Sequence, residues 1–344
     1  MPIEEVSSEL LERAMKPRLE FGRSILPEKS LNWGLYMMIT VPEVWGKVKD
    51  MLINPPQHVY FVETMDRQAV EIEELKLPVA ASIVGVGGGM ALDMAKYVGW
   101  RRDMDPVLVP SIASVDACVT NTVAVREAGR VRYIGFVVPQ VVVSDFELIT
   151  SAPPEFNRAG IGDILSIHTG CFDWKLAADS GRGEYDEDVA DKVKNLVDEL
   201  EERAESIAAL EDDAIKWLIE AYAAENELCL KVGHSRPEEG SEHFFAYNVE
   251  ARTGKKFVHG ELVCLGITIM TRLQGNTPDR ARNIMDKAGV RYHPRDLGLT
   301  REEVIGSLTS LLRYVAMENL PYSIINEQAI DEALAKELID GLEF

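Results

Sequence analysis

Three sets of residues in this 344-residue chain could do chemistry: a glycine-rich turn, a few histidines and four cysteines. Val86-Gly87-Gly88-Gly89 ends an apolar run and leads into a helical stretch that begins near Ala91. Glycines let a backbone come close to a ligand, and a helix start offers unpaired N–H groups to an anion, so a pyrophosphate suits this turn. A tight strand-to-helix turn asks for the same residues, and the glycines alone leave both possibilities open. Glu63 follows the strand-like run His58–Val62, where an acid can accept from a ribose hydroxyl, which would favour NAD over NADP. A solvated strand-end residue is the alternative. The six histidines are too scattered for their spacing to carry a metal motif. Cys118, Cys171, Cys229 and Cys264 form no CxxC pair and read as free thiols of a large cytosolic protein.

The elements that must position these residues differ between the two halves. His58–Val62, Ala81–Val86, Val107–Pro110 and Val141–Val143 are short buried strands. Helical stretches around Met65–Leu75 and Ala91–Val98 alternate with them. That alternation predicts a Rossmann-like α/β domain with a parallel sheet, with Val123–Val138 as a hairpin that turns at Ala128-Gly129-Arg130. Beyond Pro153 strand-like runs cease and long helical periodicities take over at Ile164–Ala178, Val189–Leu210 and Ile215–Val232. The expected division is a nucleotide-binding domain over residues 1–153 and an all-helical domain over residues 154–344. The acids between Glu184 and Asp213 sit among Val189, Val193, Leu196, Val197 and Leu200 at helical spacing, the pattern of a solvated helix face.

Charge narrows the partners. Net charge is -21, from 57 acids against 36 bases, which repels nucleic-acid phosphates and anionic lipid surfaces. The first sixteen residues carry acids where a signal peptide carries bases, and Ile3, Val6, Leu10 and Met15 suggest an amphipathic surface helix. A cytoplasmic protein that acts on a small molecule, with neither nucleic acid nor membrane as partner, is expected.

The string Gly87-Gly88-Gly89-Met90-Ala91-Leu92-Asp93-Met94-Ala95-Lys96 resembles the superfamily of iron-type alcohol dehydrogenases, glycerol dehydrogenases and dehydroquinate synthases. Further stretches match in order: Pro110–Asp116, Ala159-Gly160-Ile161-Gly162-Asp163, Gly240-Ser241-Glu242-His243 and His259-Gly260-Glu261. Asp173–Ala177 and Ser235-Arg236-Pro237 are similar to the sn-glycerol-1-phosphate dehydrogenase branch. This resemblance implies the dehydroquinate synthase-like fold, a homo-oligomer, and metal and substrate held in a cleft between the domains. It implies Asp163, His243 and His259 as ligands of one divalent zinc, iron or nickel ion that acts as a Lewis acid. It also implies NAD or NADP held by Gly87, Gly88, Gly89, Asp93, Ser111, Ser114 and Thr120, with Glu63 on the ribose. Asp116, Asp163 and Tyr247 are the candidate catalytic residues, although a turn-capping role would also account for Asp116.

The match departs from the glycerol-phosphate branch at Tyr247, where that branch resembles a histidine one helical turn after the metal-binding one. A phenol can donate a hydrogen bond but cannot meet a phosphate with positive charge. Lys255-Lys256 could supply that charge instead. The expected activity is NAD(P)-linked reduction of a small polyol or polyol phosphate, foremost dihydroxyacetone phosphate to sn-glycerol 1-phosphate. A glycerol dehydrogenase or another iron-type alcohol dehydrogenase is the alternative. A dehydroquinate synthase-like cyclase is disfavoured because Asp163 stands where the cyclases resemble a glutamate. His168 is expected in the core, and His58, His234 and His293 near the surface.

Overall fold

The computed structural model describes residues 6–344. They form two compact units, one comprising the residues up to Asn157 together with Asp212–Glu227, the other Arg158–Glu211 together with Leu228–Phe344.

The first unit is built on eight strands: β1 (Leu19–Gly22), β2 (Tyr36–Thr40), β3 (His58–Phe61), β4 (Ser82–Gly87), β5 (Val107–Pro110), β6 (Thr122–Glu127), β7 (Arg130–Phe136) and β8 (Val141–Asp145). Six of them make one parallel sheet in the order β1-β8-β5-β4-β2-β3. Every residue of β2, β5 and β8 is buried, which explains their unbroken apolar runs: both faces of a parallel sheet are covered. Alternate residues Tyr36, Met38, Val84, Val86, Val107, Val109, Val141 and Val143 point to one face and share a core with Leu26, Trp33 and Leu148.

Helix α1 (Gly89–Arg102) packs against β4. The remaining pair, β6 and β7, is the expected hairpin, turned by Ala128 and Gly129 at positive φ. From β2 the chain moves to β3 at one edge, then returns to place β4 and β5 on the other side of β2. The crevice outside the carboxyl ends of β2 and β4 is therefore a topological switch point, the usual ligand position in such sheets.

Among the described residues no strand follows Asp145. The helices that matter for the site are α2 (Ile161–Asp179), α3 (Glu187–Ala208), α4 (Asp212–Val232), α5 (Ser241–Thr253) and α6 (His259–Gln274). In α3 the residues Val189, Val193, Val197 and Leu200 are buried beneath the acidic face. Near the amino terminus a helix covers Ser8–Ala14; Ile3 lies outside the described residues. None of the described helices is long and apolar enough to cross a membrane.

A buried ion pair joins α1 to the hairpin. Lys96 Nζ, 1% exposed, lies 2.8 Å from Asp93 Oδ1 and donates to the Thr122 carbonyl at 2.9 Å. Asp93 Oδ1 also accepts from the Ala124 amide. Burial raises the Asp93 carboxyl pKa against the opposing pull of Lys96, so the acid depends on its partner. Lys96→Met should lower the unfolding free energy by about 3–5 kcal/mol, and the Asp93→Asn/Lys96→Met double variant by clearly less. Urea unfolding followed by tryptophan fluorescence measures both.

Candidate functional site

In the first unit the glycine turn lies at the switch point. Gly87 ends β4 in register with Pro110 of β5, and its carbonyl accepts from the Ser111 amide at 2.9 Å. A Cβ on Gly87 would come within 2.6 Å of Ala91 Cβ, so only glycine lets the chain turn this sharply into α1. Helix α1 starts at Gly89 without an acid in its first turn, which leaves a positive helix end for a diphosphate. Ser111 and Ser114, both buried, lie in the segment that continues from β5 alongside this turn. Glu63 is exposed two residues past the carboxyl end of β3.

Thr120 accepts from Lys96 through its carbonyl and hydroxyl, and Asp93 is taken up by Lys96 and Ala124. Both therefore brace the walls of this site. Asp116 opens a short 3-10 turn, and its carbonyl accepts from the amides of Val119 and Thr120.

In the second unit the structure brings Asp163, His243 and His259 together from three helices. Asp163 stands in the first turn of α2, His243 in the first turn of α5, and His259 is the first residue of α6. One donor atom from each lies within 4.8 Å of the others. His259 Nε2 is 3.6 Å from Asp163 Oδ1, and the two imidazole centroids are 5.3 Å apart.

The close crossing of α2 and α6 makes this possible. A Cβ on Gly260 would sit 1.9 Å from the Ala159 carbonyl oxygen, and one on Gly162 2.7 Å from Gly260 Cα. Each glycine adjoins a donor residue in sequence, so backbone contact sets the Asp163–His259 spacing. A divalent ion about 2.1 Å from each donor requires donors about 3.4 Å apart in a tetrahedral site, and the 3.6 Å pair fits. One carboxylate and two imidazoles are a donor set for zinc, iron or nickel alike.

Two acids set the start of α5. Asp173 Oδ2 accepts from the Ser241 amide at 2.8 Å, while its Oδ1 accepts from the Ile324 amide. Glu242, fully buried, accepts through Oε1 from the Gly240 amide at 2.7 Å and from His243 Nδ1 at 2.9 Å. With Nδ1 so engaged, Nε2 is the His243 nitrogen left for a metal. Burial and the nearby Glu242 push the Asp173 carboxyl up to about 6. Burial alone would lower the His243 pKa, but the hydrogen bond and charge of Glu242, with Glu239 and Asp163 beyond it, push it up to about 9.

Tyr247, one turn along α5, has its ring centroid 6.0 Å from that of His243, and its hydroxyl donates to Glu239. Lys255 is not the cation of this region: its ammonium donates to the Gly298 carbonyl and pairs with Glu303. The buried cation nearby is Arg236, 7% exposed, whose charge acts on Asp173, Glu242 and Glu239.

His168 is mostly buried against Asn276 and Thr277 and takes no part in the donor cluster. Glu242, Glu239 and Gly260 were not singled out by sequence. The signal for the first was its place directly before His243. That for Gly260 was its place directly after His259.

The model of the iron-containing alcohol dehydrogenase family matches residues 39–153. A protein from Hyperthermus butylicus named glycerol-1-phosphate dehydrogenase (NAD(P)+) is 30% identical over 268 residues, 78% of this chain and 76% of its own. A protein of the same name from Sulfurisphaera tokodaii is 29% identical over 88% of this chain and 89% of its own length. Among solved structures, glycerol dehydrogenase from Schizosaccharomyces pombe superposes with a TM-score of 0.72 at 20% identity, over 94% of this chain and 88% of that one. This likeness shows the shared fold.

Two outcomes follow from the geometry. Because the metal-free His243 pKa lies above its ordinary 6.5, its proton stabilises the metal-free fold below pH 6.5 and this contribution is lost as pH rises through about 9. A metal requires the imidazole neutral, so zinc affinity should climb with pH across that interval, as competition with a chelating dye will measure. Gly260→Ala should lower zinc affinity at least about tenfold in the same titration, because α6 must back away from Ala159.

Proposed function

We propose that this chain, which belongs to the iron-containing alcohol dehydrogenase family, catalyses the NAD(P)-linked, metal-dependent interconversion of dihydroxyacetone phosphate and sn-glycerol 1-phosphate. The observation that carries the proposal is the convergence of Asp163, His243 and His259 from three helices on a volume that fits one divalent ion. The shared name of the archaeal relatives, matched over most of the chain, supports the substrate.

Asp163, His243 and His259 would hold the ion, with Glu242 fixing the tautomer of His243 through Nδ1. Gly87, Gly88 and Gly89 would seat the cofactor diphosphate at the start of α1, beside Ser111 and Ser114, and Glu63 would accept from its ribose. When bound, the ion supplies Lewis acidity to the substrate carbonyl and the nicotinamide supplies or takes the hydride. No protein nucleophile is needed. Asp116 and Tyr247 are proposed to orient the substrate hydroxyls. Four free, buried cysteines suit a reducing, cytoplasmic setting.

A second substrate class has one observation in its favour. Glu239 and Tyr247 place a carboxylate and a phenol beside the donor cluster, which suits the hydroxyls of an unphosphorylated polyol.

Zinc-loaded protein assayed with NADH and NADPH should oxidise at least one of them with dihydroxyacetone phosphate, and His243→Ala should cut kcat/KM by about a thousandfold or more. Oxidation with dihydroxyacetone but not its phosphate would move the assignment to the second class. No oxidation with either would overturn the proposal.

A further inference from the structure

The loop between α4 and α5 carries an acid for which the proposed reaction has no use. Glu239 is held on both oxygens: Oε2 accepts from Ser235 Oγ at 2.5 Å, and Oε1 from the Tyr247 hydroxyl. With both oxygens engaged, the carboxylate is fixed in place and is not a wandering surface acid. It is also close to the donor cluster. Tyr247 follows His243 by one helical turn, the two rings are 6.0 Å apart, and the charge of Glu239 acts on His243 itself.

The surroundings do not cancel that charge. Asp163, Asp173 and Glu242 are buried in the same part of the unit, and the charge of buried Arg236 acts on Asp173, Glu242 and Glu239. Among the described residues its two terminal nitrogens have no hydrogen-bond partner, so Arg236 forms no fork with Glu239. A divalent ion at Asp163, His243 and His259 would offset acids of the donor cluster, and Glu239, bonded to Tyr247, would remain a negative group.

We propose that Glu239 is a specificity-determining residue, whose fixed carboxylate weakens binding of a phosphorylated substrate relative to its unphosphorylated counterpart. A phosphate dianion approaching the Tyr247 side meets like charge in a partly desolvated site, whereas a neutral hydroxyl does not. This rests on the proposed function only for the pair of substrates compared; the electrostatic claim is tested without turnover.

The experiment uses zinc-loaded wild type, Glu239→Gln and Tyr247→Phe. Glu239→Gln keeps the shape while losing the charge: its amide oxygen can accept from one of the two hydroxyls and its NH2 can donate to the oxygen of the other. It should raise the kcat/KM ratio of dihydroxyacetone phosphate to dihydroxyacetone at least about fivefold at low ionic strength, with the gain shrinking as salt is added. The change should fall mainly on KM for the phosphorylated substrate. Tyr247→Phe keeps the charge and should leave that ratio within about twofold of wild type, whatever it does to both rates.

Calorimetric titration of inorganic phosphate into the same zinc-loaded proteins is the turnover-free arm, and Glu239→Gln should bind it at least about fivefold more tightly. If Glu239→Gln slows both substrates equally and leaves phosphate affinity unchanged, Glu239 is only a brace for Tyr247 and the inference is overturned. If neither substrate turns over but phosphate affinity rises as stated, the proposed function fails and the inference about Glu239 stands.

Discussion

The chemistry of the second unit depends on how closely α2 and α6 can pass. Side chains normally hold two helices some 8–10 Å apart between axes. Here Gly162 lies against Gly260, and Gly260 against the Ala159 carbonyl, with no room for a Cβ at either glycine. Asp163 and His259, each one residue away, inherit that spacing and meet at 3.6 Å. A methyl group at either glycine would push the helices apart by more than a metal–ligand bond can stretch. The donor cluster is thus set by backbone contact, and side-chain rotamers only complete it.

Charge is the second constraint. Asp163, Asp173 and Glu242 are all buried in this unit, at a desolvation cost that hydrogen bonds to the amides of Gly240, Ser241 and Ile324 only partly offset. The acids raise the His243 pKa and act on Arg236, as negative charges do on neighbouring cations. A divalent cation held among Asp163, His243 and His259 would offset that charge and supply Lewis acidity there. Glu239 is not a member of that donor cluster and is held instead by Ser235 and Tyr247.

Much of this could be read in the sequence, for identifiable reasons. The apolar runs of β3, β4, β5 and β8 stood out because Gly, Pro or polar residues bound them, and the glycine turn announced the switch point. Strands β1 and β2 escaped notice: Leu19–Gly22 is four residues with a charge inside, and Tyr36–Thr40 is Met-rich and fully buried without alternation. The ligand candidates came from ordered motifs and not from spacing, which for residues eighty and sixteen positions apart carries no geometry. Nor could periodicity reveal that α4 as far as Glu227 groups with the first unit, since that is a tertiary fact. The Glu242–His243 and Glu239–Tyr247 hydrogen bonds depend on rotamers and a loop path that no sequence pattern encodes.

On this reading three helices build a single divalent-metal site at Asp163, His243 and His259. Anomalous-scattering maps from zinc-soaked crystals, collected on both sides of the zinc edge, test it directly. One strong peak is expected about 2.0–2.2 Å from an Asp163 carboxylate oxygen and from Nε2 of both histidines. A triad without a peak in crystals that bind zinc elsewhere, or a peak that touches His243 through Nδ1, would contradict it.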